Sequence, residues 1–275
     1  MNDKEKNLAK LVRQDCLKMV TKAKASHIGS ALSIVDILAV LYSKILKFDS
    51  TNPNLPIRDR FILSKGHSCC AVYATLANCN FFDKDLLLNF AEDNSDFMSH
   101  ISHKVPGVEF STGSLGHGLP FGVGKAITAK RTKKNWRTYI LLSDGELDEG
   151  SNWEAIMFAA HFKLDNLTII IDYNKLQSLC SIEETMGLEP LVEKFEAFGL
   201  HCIEANGHDF KELNEVLNKA SKIKGKPTVI IAHTIKGKGV SFMENTVEWH
   251  YKSPSNDQLK LALREVKTHH EKEIS

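Results

Sequence analysis

Apolar residues recur at Leu8, Val12, Cys16, Met19 and Ala23, a spacing of three to four that predicts an amphipathic helix near the start of the chain. Ser33 to Leu46 is mostly apolar and reads as a second helix. A polar connection follows from Asp49 to Pro56, where Pro53 and Asn54 mark a turn. Arg60 to Ser64 predicts a short strand, with a helix from about His67. Ala91 to about Gly116 is loop-rich, and about Gly118 to Lys130 reads as helix.

The second half is more regular. Tyr139 to Ser143, Leu167 to Asp172, Leu200 to Glu204 and Thr228 to Ala232 are short runs, mostly continuous and apolar, that predict buried strands. Asn152 to Phe162, about Pro190 to Phe198 and Phe210 to Ile223 read as the helices between them. Continuous apolar strands alternating with helices predict a doubly wound α/β fold, a mainly parallel sheet with helices on both faces. No repeat, low-complexity tract or flexible linker interrupts the pattern, so residues 1–275 are expected to form a single domain. The tail from Met243 onward lies beyond the last clear strand and is free to cross onto a partner.

Composition narrows the class. The chain has 275 residues, 43% hydrophobic, enough for a substantial core. Lys and Arg total 35 against 34 Asp and Glu, which is not the basic footprint of a nucleic-acid binder. The start, MNDKEKNLAK, lacks the apolar stretch of a signal peptide. Runs such as Leu167 to Ile171 are too short to span a bilayer, so the expectation is a cytoplasmic protein with no membrane or nucleic-acid partner. The six cysteines form no C-x-x-C pair and are expected to be reduced, with Cys69 and Cys70 as small buried hydrophobes.

Ligands of open α/β sheets sit at the carboxyl ends of strands. After one strand comes Asp144-Gly145-Glu146, and after the next Asp172-Tyr173-Asn174-Lys175-Leu176. Asp144 and Asn174 are 30 positions apart (174 − 144), each at a strand end, so adjacent parallel strands would bring them together. Mg²⁺ takes oxygen ligands and usually few carboxylates beside phosphate oxygens. Asp144, the Asn174 amide oxygen and a main-chain carbonyl near Leu176 could form such a set, and Gly145 would let the backbone approach a diphosphate. Ordinary strand-end turns explain the same residues equally well.

The surrounding motifs carry a resemblance. Asp144-Gly145-Glu146, some thirty residues before Asn174, resembles the thiamine-diphosphate motif, and Gly145 to Gln177 resembles transketolase. So do RDRFILSKGH (Arg58 to His67), VPGVEFSTGSLGHGL (Val105 to Leu119) and AHTIKGKGVSFMEN (Ala232 to Asn245). The likeness runs over about residues 8 to 265 and is to the diphosphate-binding domain alone, as in the N-terminal subunit of split transketolases. It implies thiamine diphosphate and Mg²⁺ as cofactors, with Asp144, Asn174 and Leu176 holding the metal. It also implies a partner subunit bearing the pyrimidine-binding domain, sugar phosphate substrates of the pentose phosphate pathway, and an α2β2 assembly. The implied reaction transfers a two-carbon ketol unit from a ketose to an aldose through a carbanion on the cofactor.

By the same resemblance His27, His67, His100 and His250 surround the reacting carbon, with His250 the weakest motif match. Histidine suits proton transfer between sugar oxygens near neutral pH. His67, Gly113, Leu115, Gly145, Glu146 and Glu149 are implied at the cofactor, Glu149 also at a subunit interface. Lys236 and Lys238 fit either a phosphate contact or a solvated turn. The sequence also departs from the family. Ser143 replaces the usual first glycine, Tyr173 stands between Asp172 and Asn174, and Ser178-Leu179-Cys180 replaces an apolar residue followed by Asp-Gly. Those changes bear on the substrate more than on the cofactor. A decarboxylating synthase, or an enzyme of a modified or nucleotide-linked sugar, are the alternatives.

Overall fold

The structure, a computed structural model, describes residues 3–274. Its centre is a sheet of five strands: β1 (Arg60–Leu63), β2 (Thr138–Ser143), β3 (Leu167–Tyr173), β4 (His201–Asn206) and β5 (Thr228–His233). Their spatial order is β1-β2-β3-β5-β4 and every neighbouring pair is parallel. The helices are α1 (Lys4–Ala23), α2 (Ile28–Ser33), α3 (Val35–Val40), α4 (Cys69–Asn78) and α5 (Gly118–Arg131) in the first half. Then come α6 (Gly150–His161), α7 (Ile182–Thr185), α8 (Leu191–Ala197), α9 (Phe210–Lys222) and α10 (Asn256–Ile274).

Strand alternation divides the core into two layers. Ile140, Leu142, Ile169, Ile171, Val229 and Ile231 face one side, against apolar residues of α5, α6 and α8. Tyr139, Leu141, Ile170 and Ile230 face the other, against α1, α3, α4 and α9. All seven residues of β3 are buried, which is why that strand reads as a mostly apolar run, interrupted by Thr168 and Asp172. Each such buried aliphatic side chain contributes about 1.5–3 kcal/mol. The edge strand β4 is mostly half-exposed and carries Glu204, a charge that discourages further strand pairing. Helix α9 shows why a helix starts where it does. The Asp209 carboxylate accepts the Lys211 and Glu212 amides, and Leu213, Leu217 and Ala220 form the buried stripe behind this cap.

Two expectations need correction. Ser33 to Leu46 is not one helix. It breaks at Ile34, resumes as α3 and closes in a π turn over Leu41–Ile45. The break has a local cause: the Ser30 carbonyl accepts the Ser33 hydroxyl and the Lys65 ammonium, and the Ile34 amide turns to Ala31 instead. The tail does not leave the chain: α10 packs on α1, and the Ser253 hydroxyl donates to the Val20 carbonyl. No helix among the described residues is long and apolar enough to cross a membrane.

Glycines set how closely α5 approaches the sheet. A Cβ on Gly118 would lie 2.7 Å from the Ser64 Cα, whereas a Cβ on Gly124 would meet nothing within 4 Å. Gly118→Ala should therefore destabilise the chain by about 1–3 kcal/mol through overpacking. Gly124→Ala should stabilise it by about 0.5–1 kcal/mol through helix propensity. Denaturant unfolding of both variants checks the opposite signs.

Candidate active site

Four strand ends build one cleft. Lys65 follows β1, Asp144 follows β2, Asp172 and Asn174 end and follow β3, and Thr234 and Lys236 follow β5. The β2–β3 register pairs Ser143 with Asp172, so Asp144 and Asn174 leave adjacent strands side by side. The Asp144 carboxylate accepts the amides of Gly145 at 2.8 Å and Lys175 at 2.6 Å. The cleft holds about 180 Å³.

His27, His67, His100 and His250 share its wall. The His27 ring centroid is 5.1 Å from His67, 5.6 Å from His100 and 5.0 Å from His250. Backbone bonds far apart in sequence assemble this group. The His27 amide donates to the His250 carbonyl, and the Ile101 amide donates to the Gly66 carbonyl, bringing residue 100 beside residue 67. The Tyr73 hydroxyl accepts the Ser102 amide and donates to the His100 carbonyl. His27 itself has a left-handed backbone, φ 74°, held at this junction.

The imidazoles resist protonation. Burial, then the neighbouring His100, Lys236 and Lys65, lower His27 to about 4. Burial, then Lys236, lower His250 to about 3. His67 is pushed well down by burial and Lys65, and His100 down by burial. All four are therefore neutral at pH 7, able to accept a hydrogen bond or a proton. Lys236 is lowered to about 8 by burial and by Lys65. Its ammonium donates to the carbonyls of Leu176 at 3.2 Å and Gln177 at 2.7 Å and lies 3.3 Å from His250 Nδ1.

Two carboxylates divide the charge. Asp172 is fully buried and accepts Lys65, Ser33, Asn174 and Thr234. Burial raises its proton affinity, but Lys65 and the hydroxyls outweigh that and hold it ionised. Asp144 accepts two backbone amides and forms no ion pair among the described residues; burial, then Asp172, push it up to about 7 against a smaller opposing effect of Lys65.

Gly113, Leu115, Gly145, Asn174 and Leu176 also line the cleft. Glu146 does not: it turns inward, where its carboxylate accepts the Ser64 hydroxyl and the Gly116 amide at 2.9 Å. Its role in the structure is to tie the β1 end to the loop before α5. Glu149 is exposed at the start of α6, also outside the cleft. Of the two candidate lysines, Lys236 is buried in the cleft, while Lys238 pairs with Glu244 outside it. Sequence reasoning missed Lys65 and Gln177 in the cleft wall and Asp172 as the buried partner of Lys65, whereas Ser178, singled out as a departure from the family pattern, does line the cleft. Two of them carried a signal, since a lysine and an aspartate in otherwise apolar strand ends are costly unless paired.

Fold and cleft together define a doubly wound α/β enzyme with its site at the strand carboxyl ends. The transketolase, thiamine diphosphate binding domain family matches residues 4–273, and the chain belongs to it. It is 42% identical over 267 residues to one of the subunits of the apulose-4-phosphate transketolase of Actinobacillus succinogenes, covering 96% of each chain. It is 38% identical to 6-deoxy-6-sulfo-D-fructose transketolase subunit SqwG of a Clostridium species, covering 94% of each. Among solved structures, transketolase from Campylobacter jejuni superposes with a TM-score of 0.89 at 32% identity. That match covers 96% of this chain and 42% of that one, so this chain spans less than half of that transketolase. The doubly wound fold and the family read from the motifs are both borne out.

The histidine environment has a pH consequence. Free histidine titrates near 6.5, so below that value the unfolded chain binds protons that folded His27 and His250 refuse until about 4 and 3. Stability should be full above about pH 6.5 and fall as the pH drops toward 4. His250→Gln should make that decline shallower, read by denaturant unfolding at pH 7 and pH 5. A His27 ring titrating near 6.5 by NMR would contradict the assignment.

Proposed function

We propose that this chain is the diphosphate-binding subunit of a split thiamine-diphosphate- and Mg²⁺-dependent transketolase. It transfers a two-carbon ketol unit from a ketose phosphate to an aldose phosphate, in the cytoplasm, within an α2β2 assembly. The observation that carries the reading is one cleft in which Asp144, Asn174, two buried lysines and four neutral imidazoles converge. The partner subunit would carry the pyrimidine-binding domain. The relatives named as single subunits match this chain end to end, while the Campylobacter transketolase runs on well beyond it.

The donor set fits the cofactor. No group of three or more His, Cys, Asp or Glu side chains is placed to hold a metal among the described residues. Mg²⁺ beside a diphosphate needs less, one carboxylate with neutral oxygens. Asp144 forms no ion pair among the described residues, and burial and Asp172 raise its proton affinity against the smaller opposing effect of Lys65, so a bound cation would be favoured there. The Leu176 carbonyl already faces a positive group, the Lys236 ammonium. Asp144, the Asn174 amide oxygen and the Leu176 carbonyl would hold the ion, and Lys65 and Lys236 would face the diphosphate charge.

Bound thiamine diphosphate supplies a nucleophilic carbon and an electron sink. The chain's own part is proton handling and orientation. His27, His67, His100 and His250 present neutral imidazoles that can take a proton from a sugar hydroxyl and return it. A diphosphate between the lysines would offset the positive field that depresses His27 and His250 and make them stronger bases. The names of the relatives, an apulose-4-phosphate and a 6-deoxy-6-sulfo-D-fructose transketolase, favour a modified sugar as one member of the substrate pair. Gln177 and Ser178 line the cleft where the sequence departs from the family pattern, and they are the residues to examine for that choice.

The assay is to purify the chain with its C-terminal partner, thiamine diphosphate and Mg²⁺, and supply ketose phosphate and aldose acceptors. Two-carbon transfer without CO₂ is expected from the pair and none from either chain alone. CO₂ release in step with product would replace this reading with a decarboxylating one. Asp144→Ala should abolish Mg²⁺-dependent cofactor binding by calorimetry, a larger loss than the roughly 10–100-fold that follows removal of an outer partner of a metal ligand. Unchanged affinity would remove Asp144 from the metal site.

A further inference from the structure

The carboxylate of Asp172 is absent from the set of residues expected to touch cofactor or substrate, yet four side chains donate to it, two of them from the cleft wall. Its Oδ2 accepts the Ser33 hydroxyl at 2.6 Å, the Lys65 ammonium at 2.5 Å and the Asn174 side-chain amide at 3.1 Å. Its Oδ1 accepts the Thr234 hydroxyl. These donors come from α2, from the ends of β1 and β3, and from the segment after β5. Lys65 and Asp172 are both fully buried.

Two consequences follow from the geometry. The Lys65 ammonium is fixed between Asp172 and the Ser30 carbonyl, so it enters the cleft at one place rather than swinging on a flexible stem. The Asn174 NH₂ is occupied by Asp172, which turns its oxygen the other way, where it accepts the Leu176 amide at 3.1 Å. An amide oxygen has a second lone pair, so the side chain is set to offer oxygen and not nitrogen to a cation. The cost of the arrangement is visible in the backbone: α2 and α3 are broken at Ile34 because the Ser30 carbonyl serves Lys65.

We propose that Asp172 is a positioning residue, holding Lys65 and the Asn174 amide oxygen in the orientation that binds Mg²⁺ and the diphosphate. The inference rests on the proposed cofactor site. Outer partners of this kind typically change metal affinity by about 10–100-fold when removed.

The test uses the chain with its partner subunit. Asp172→Asn is expected to weaken Mg²⁺-dependent thiamine-diphosphate binding at least tenfold by calorimetry, at a temperature where circular dichroism shows it folded. If that variant fails to fold, Lys65→Met/Asp172→Asn removes both buried charges together and leaves neither unpaired. The double variant should regain stability, and because Lys65 itself would face the diphosphate, its Asn174 amide exchange, not its affinity, is read. Exchange as slow as in the parent chain overturns the proposal. A second readout needs no cofactor. The Asn174 side-chain NH₂ should exchange slowly with solvent in the parent chain and at least tenfold faster in Asp172→Asn, while Thr234→Val leaves it slow. Equal exchange in parent and Asp172→Asn refutes the positioning role. If the parent pair binds no thiamine diphosphate at all, the cofactor reading fails, and the amide exchange still decides whether Asp172 orients Asn174.

Discussion

Lys65 and Asp172 meet with no solvent exposure on either side chain, and much of the molecule is arranged around that contact. Removing one partner of such a pair costs about 3–5 kcal/mol, because the other charge is left buried alone. The pair joins the ends of β1 and β3 across β2, the strand between them. It recruits the Ser30 carbonyl and the Ser33 hydroxyl, and so decides where the second helical stretch must break. It also places a negative charge near Asp144, which adds to burial in raising the proton affinity of that second carboxylate. A single buried interaction thus links the path of the chain, the shape of the cleft and its charge pattern.

The histidines show a complementary constraint. Four imidazoles with centroids about 5 to 6 Å apart could not all be protonated without strong mutual repulsion. Burial and two nearby ammonium groups remove the difficulty by keeping them neutral. Their backbone supports are rigid: His27 and His250 are joined by a main-chain bond, and Tyr73 braces the loop carrying His100. His27 adopts a left-handed conformation there, a placement costing of order 1–3 kcal/mol that persists because its surroundings fix it. Side chains that must stay neutral and closely spaced are thereby placed on segments with little freedom to separate.

The sheet was legible from the sequence because its signal is local. Leu167 to Ile171 and Thr228 to Ile231 are mostly apolar, β-branched runs, and buried parallel strands favour that composition. Asp144 and Asn174 could be placed together for the same reason, since adjacency of two strands follows from one intervening helix. The break at Ile34 was not legible. The Ser33 hydroxyl bonds back to the Ser30 carbonyl, but a serine in a helix is common; the second donor to that carbonyl is Lys65, more than thirty positions away in sequence. The packing of α10 on α1 was hidden likewise, because an amphipathic tail shows which face is apolar but not what covers it.

Glu146 and Lys236 show a related limit. The resemblance implies Glu146 at the cofactor, and Lys236 fits either a phosphate contact or a solvated turn. Geometry that spacing does not encode decides where each side chain points. The 3₁₀ turn Gly145–Asp148 rotates Glu146 away from the cleft and onto Ser64 and Gly116, where it fastens β1 to the start of α5. The segment after β5 doubles back so that the Gly237 amide meets the Gly29 carbonyl, and Lys236 is carried inward to the carbonyls of Leu176 and Gln177. Both side chains are long, and in both cases the direction of the backbone turn, not the residue type, determines whether the charge enters the cleft or supports it from behind. A motif therefore locates the loops of this site more reliably than it assigns the work of each side chain within them.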